Sequence, residues 1–129
     1  PVTVRMAWRA LGPSRLSLVS DAAAPLGAPF GTFDLGRREV RHDTNGVRTI
    51  DGTLAGSALA LDQAVRNLVD FTDCSFVDAI ATVTTTPADL LGLTDRGRIT
   101  TDARADLTIL TPDGQLVATV IGGDIAWKS

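Results

Sequence analysis

One short apolar run limits this chain more than any other feature. Leu16-Ser17-Leu18-Val19, in the stretch RLSLVSDAAAPLG, is bounded by turn-forming residues and follows a helical pattern. In that pattern Val4, Ala7, Trp8 and Leu11 recur at i, i+3, i+4 and i+7, so they share one buried face. Arg5 and Arg9 take the opposite side. Pro1 suits a helix start, and Gly12-Pro13 ends it, because proline cannot continue a helix. Helix, short loop and buried strand make an αβ unit of a parallel sheet. One parallel strand exposes two unpaired backbone edges, so it needs partners. The run closes on Ser20-Asp21, and that acid has two readings. Asp is common where strands stop, since its side chain bonds nearby backbone N–H groups. It is also the residue type for a catalytic carboxylate at the mouth of a barrel strand. The stretch by itself leaves both open.

The 129 residues suffice for one ordinary domain. Apolar residues at 44% and charged residues at 21% predict a folded protein. A net charge of −3 without a basic block argues against nucleic acid or an anionic membrane as the main partner. No apolar run approaches the roughly 18 residues of a membrane span, and no signal-peptide pattern opens the chain. Cys74 is the only cysteine, so no disulfide framework is possible and a cytoplasmic setting is expected. His42 is the only histidine, which leaves no usual His- or Cys-rich zinc site. There is no P-loop, no GxGxxG and no internal repeat.

Asn45-Gly46 is a strong hairpin signal. A two-residue turn there pairs Thr44 with Val47, Asp43 with Arg48 and His42 with Thr49, and leaves His42 as an exposed structural residue. Leu61, Ala64, Val65, Leu68 and Val69 form a helical stripe, with Arg66 and Asp70 as a solvated i, i+4 pair on its outer face. The preceding loop, Gly52 to Ser57, is a plain turn or a place where backbone N–H groups meet a ligand. Ser75 and Asp78 resemble a capping box before Val77, Ile80 and Ala81. Thr86-Pro87-Ala88-Asp89 predicts a further helix, capped by Thr86 and leading through Leu90-Leu91 to Gly92. Two strands about Pro112-Asp113-Gly114 and a third after Gly122-Gly123 predict an antiparallel tail. Trp8 and Trp127 are expected to pack in the core and the tail sheet rather than stack on a ligand, and Cys74 is read as structural.

Five stretches together resemble the N-acetylglucosamine-6-phosphate deacetylase family of the amidohydrolase superfamily: LVSDA, GTFDLG, DGTLAGSALALDQAVRNLV, TPADLLGLTDRGRI and ARADLTIL. They cover nearly the whole chain. The third is quite specific to these deacetylases, whereas ADL is shared across amidohydrolases. Where the family has a glycine, this chain has Asp102, which is expected to alter loop geometry only. The resemblance implies an α/β fold: a metal-dependent (β/α)8 barrel with a small β-sandwich built from both chain ends. Such barrels need about 250 residues. The expectation is therefore the C-terminal portion of one, with residues 1–95 from the barrel (last helix–strand unit, hairpin insertion, closing helices) and 96–129 giving antiparallel strands of the sandwich.

By the same resemblance, Asp21 matches the catalytic aspartate at the end of barrel strand eight, and Leu54, Ala55 and Gly56 match a loop that meets the amino sugar through its backbone. A tight turn is the alternative for that loop. The family's metal ligands, a Glu and two His, and a substrate-binding His are expected upstream of Pro1. In the whole enzyme a divalent metal, zinc or iron, activates water while the aspartate moves the proton; none is expected to bind these residues alone. The implied substrate is an amino-sugar phosphate, and the implied whole enzyme a homodimer. The residues given are expected to pair with the rest of the barrel or with another copy. Two rivals remain: another amidohydrolase with a different amide substrate, and a non-catalytic barrel remnant that binds a partner or a sugar phosphate.

Overall fold

The computed structural model describes all residues, Pro1 to Ser129. In chain order the elements are α1 (Val2–Leu11), β1 (Gly31–Leu35), β2 (Arg38–Asp43), β3 (Gly46–Thr49), α2 (Leu61–Thr72), α3 (Phe76–Ala81), α4 (Thr85–Leu90), β4 (Leu107–Leu110), β5 (Leu116–Ile121) and β6 (Asp124–Lys128). The fold is α/β with two antiparallel sheets, ordered β1-β2-β3 and β4-β5-β6. The chain divides into two compact units, Pro1–Leu18 with Val65–Ser129, and Val19–Ala64. No helix is long and apolar enough to cross a membrane.

The core of the first unit is the predicted stripe of α2. Val65 and Leu68 are buried with Ala79 of α3, and Val4, Trp8, Leu16, Leu18, Val69, Cys74, Phe76, Ile80 and Val83 pack around them. Burying a side chain such as Leu68 stabilises by about 1.5–3 kcal/mol. α1 ends as its sequence requires, with Gly12 at φ +65° and its N–H donating to Trp8 O. Cys74 and Trp8 both pack against this core, as expected of them; Trp127 is 47% exposed on β6.

Several expectations fail here. Leu16–Val19 pairs in neither sheet of this chain, so no strand forms there; Leu18 N–H donates to Thr82 O over 3.1 Å. Arg66 does not stand as a solvated partner of Asp70: it is half-buried and its guanidinium donates to the carbonyl of Gly114. The Ser75–Asp78 cap forms, with Ser75 Oγ accepting from Asp78 N–H at 3.1 Å. Val77, however, is 77% exposed, since Ala79 and Ile80 turn to the core instead. α4 begins before Thr86. Its N-cap is Thr84, and the Thr86 hydroxyl donates to Pro13 O at 2.6 Å, which removes it from capping duty. Pro87 is tolerated in this first turn because the amides there lack intrahelical acceptors.

In the tail sheet, Ile109 to Leu110 and Thr119 to Val120 mark register irregularities between otherwise regular antiparallel pairs. Asp106 closes the loop before β4. Its carboxylate accepts from Gly122 N–H and from Arg104 Nε, both at 2.8 Å. Asp102 adopts φ +66°, the left-handed region that favours glycine.

The second unit is built on β1-β2-β3, with Val40 and Val47 fully buried. The hairpin lies where Asn45-Gly46 predicts, but its register differs. Asp43 pairs with Gly46, His42 with Val47, and Arg41 with Arg48. The reason is the turn. Thr44 and Asn45 keep ordinary φ while Gly46 takes φ +95°, so the mirror-image two-residue turn does not form. Asp43 Oδ1 accepts from Asn45 N–H at 2.8 Å and its other oxygen lies 3.4 Å from Arg41, so Asp43 serves its own turn and strand rather than Arg48. His42 is half-buried rather than exposed. Its ring stands edge-on to Phe30 at 4.9 Å, and its Nδ1 is buried without a partner.

Candidate functional site

Asp21 ends the extended segment and sits at φ +49°, one of three non-glycine residues in the left-handed region. That conformation costs an ordinary L-residue roughly 1–2 kcal/mol, and Asp tolerates it better than most. It persists because bonds on both sides fix it. Ser57 N–H donates to Asp21 O at 2.8 Å, and Ala23 N–H donates to Ser57 O at 2.9 Å. These bonds make Ala22 and Ser57 an isolated parallel bridge. The Ser57 hydroxyl donates to Ser20 O at 2.5 Å, and Ser20 Oγ accepts from Ala22 N–H at 3.2 Å. A strained, exposed carboxylate in such a frame is a functional candidate.

Gly56 faces it. Its φ is +95°, and a Cβ there would lie 2.9 Å from Asp21 O and 3.8 Å from Asp21 Oδ2. Only a residue without a side chain permits this approach. The structure thus brings two of the sequence-derived candidates, Asp21 and Gly56, into contact distance.

Leu54 and Ala55 are placed by β3. Leu54 bridges to Arg48, Ala55 N–H donates to Val47 O and Thr49 N–H to Thr53 O, both at 2.9 Å. The intervening turn is held by Asp51, whose Oδ1 accepts from the Thr49 hydroxyl and from Thr53 N–H at 3.1 Å. The Thr49 hydroxyl bond, then the Thr53 amide, holds the Asp51 carboxyl below the usual carboxylate range. Arg48 Nη1 adds a bond to Gly52 O at 2.9 Å. Leu54 itself is 65% exposed. The Ala55 amide is already engaged, which leaves less of this loop's backbone for a ligand than the sequence suggests.

Ser57 joins this frame without a signal in the local sequence. It lies inside the GTLAGS motif, yet its hydroxyl partner Ser20 is 37 residues away, so only folding reveals the contact. The chain holds no group of three or more His, Cys, Asp or Glu that could bind a metal ion. Asp21 is a single carboxylate, and three protein ligands are the usual minimum for a catalytic zinc. These residues by themselves do not fit a complete metal centre.

The family model described as "Amidohydrolase family" matches residues 18–126. The chain is 33% identical to the N-acetylglucosamine-6-phosphate deacetylase of Bacillus subtilis over 100% of its own length and 33% of that protein. It is 31% identical to the N-acetylgalactosamine-6-phosphate deacetylase of a Shewanella strain, covering 100% of this chain and 33% of that one. Among solved structures, the N-acetylglucosamine-6-phosphate deacetylase of Thermotoga maritima superposes with a TM-score of 0.90 at 36% identity, covering 98% of this chain and 35% of that chain. The chain thus spans about a third of the length of the relatives it matches.

Proposed function

The chain belongs to the amidohydrolase family, and we propose that it forms the C-terminal part of an enzyme that deacetylates N-acetylglucosamine 6-phosphate to glucosamine 6-phosphate and acetate. The observation that carries this reading is the Asp21–Gly56 contact: an exposed carboxylate in a left-handed backbone, framed by a motif specific to such deacetylases. Residues 1–95 are assigned to the catalytic barrel, with the unpaired Leu16–Val19 segment as its eighth strand, and residues 96–129 to sandwich strands. That segment belongs to neither sheet of this chain, and a strand needs ladder partners, which supports this reading.

In the proposed chemistry Asp21 carries one proton. Its carboxylate takes the proton from the water that attacks the acetamide carbonyl. A carbon–oxygen bond forms, and the carbon–nitrogen bond then breaks. Asp21 gives its proton to the departing sugar nitrogen, because an amide nitrogen leaves poorly as an anion. Leu54, Ala55 and Gly56 line the approach of the sugar, with Gly56 keeping the space beside the carboxylate open. A divalent metal, zinc or iron, belongs to residues outside this chain in this reading. The proposed setting is the cytoplasm and the proposed assembly a homodimer.

The test is acetate release by the polypeptide that carries this chain, with N-acetylglucosamine 6-phosphate and its galacto epimer compared. Release from the gluco substrate is expected. Faster release from the galacto substrate moves the assignment to the epimer-specific relatives, for which the Shewanella similarity is the specific observation. Release from neither overturns the proposal.

A further inference from the structure

We propose that Ser57 is a positioning residue that fixes the Asp21 carboxylate for proton transfer. The inference rests on the reading of Asp21 given above and goes beyond it to a residue with no assigned role.

Four bonds converge on Ser57. Its N–H donates to Asp21 O at 2.8 Å and its carbonyl accepts from Ala23 N–H at 2.9 Å. Its hydroxyl donates to Ser20 O at 2.5 Å and accepts from Leu59 N–H at 3.0 Å. The partners Ser20, Asp21 and Ala23 surround the left-handed turn, so one residue grips it before, at and after the acid. The grip is needed because Asp21 departs from favoured backbone space at φ +49°. Its carboxylate direction follows its backbone, and the Ser57 hydroxyl is the one side-chain group in this frame that crosses from the loop to the turn. The same hydroxyl also accepts from Leu59 N–H, which fixes its orientation from within the loop. The hydroxyl donates once and accepts once here; alanine can replace neither bond.

The effect expected is on the chemical step. A proton carrier displaced by a fraction of an ångström loses rate while ground-state binding persists. In the polypeptide carrying this chain, Ser57→Ala is expected to lower kcat about tenfold or more, with KM within about twofold. Ser57→Thr keeps the hydroxyl and is expected to restore most of kcat. Amide exchange at Ala23, whose N–H bonds the Ser57 carbonyl, reads the grip without activity, and should quicken in Ser57→Ala. Should Ser57→Ala fail to fold, Ser57→Cys, close in size but a weak donor, is measured instead and is expected to lose kcat several-fold.

An unchanged kcat or unchanged Ala23 exchange in these variants, beside an inactive Asp21→Asn, overturns the role of Ser57 and leaves that of Asp21 standing. A raised KM with kcat retained also overturns it, since that marks a substrate contact. Full activity in Asp21→Asn takes down both readings at once.

Discussion

The main-chain amide of Ser57 donates to the carbonyl of Asp21 over 2.8 Å, joining the GTLAGS loop to the left-handed turn at Asp21. Beside this bond, Gly56 leaves no room for a Cβ against Asp21. An acid and a glycine far apart in sequence thus share one small frame, and its consequences are measurable.

Asp21→Asn is expected to keep the fold, because Asn tolerates the left-handed backbone as well as Asp does. In the polypeptide carrying this chain it should lower turnover about 10²-fold or more, the usual weight of general acid–base catalysis. Steady-state kinetics decide, and a near-normal rate removes Asp21 from the mechanism.

Gly56→Ala faces two penalties. The new Cβ would meet Asp21 O at 2.9 Å, and the residue must hold φ +95°. Loss of about 1 kcal/mol or more of stability is expected. Turnover should fall with it, since relief comes most directly by moving Asp21. Denaturant unfolding and kinetics on the same sample test both, and a variant unchanged in each returns this loop to a plain turn.

Leu68→Ala removes the side chain at the centre of the α2 core, where Leu68 is 1% exposed. Such deletions cost about 2–5 kcal/mol. Urea unfolding should show a large drop in midpoint; a change below about 1 kcal/mol means that this core collapses around the cavity.

The Asp106 carboxyl is held below its usual range, first by the Gly122 amide and then by Arg104. A depressed folded value means that the unfolded chain binds more protons in the window between the two values. Stability from this group is therefore complete above the ordinary carboxylate range near about 4, and is lost as pH falls through the lower folded value. Melting temperature followed from pH 6 down to about 2 should drop less steeply in Asp106→Asn than in the parent. Parallel curves would assign the acid sensitivity to other groups.

The sequence by itself determined what depends on neighbours along the chain. The periodic apolar face of α2, the Gly12 stop of α1, the Ser75 cap and the three tail strands all follow from local pattern, and all are present. Asp21 and the GTLAGS loop stood out as candidates only through the family resemblance of their motifs, since local chemistry leaves a plain turn open at both. What only the tertiary structure decided depends on distant partners. The Leu16–Val19 segment reads as a strand because it is apolar, but a strand is defined by a ladder, and this chain supplies none beside it. Asn45-Gly46 located a hairpin without its register, because Asp43 bonding Asn45 and the left-handed Gly46 chose the turn. Thr86 carries a capping side chain that Pro13 claims instead, and Arg66 faces Gly114 rather than water. The pairing of Asp21 with Gly56 and Ser57 belongs to the same class. It is made of backbone bonds and one hydroxyl, which carry no periodic signature, and it exists only once the chain has folded back on itself.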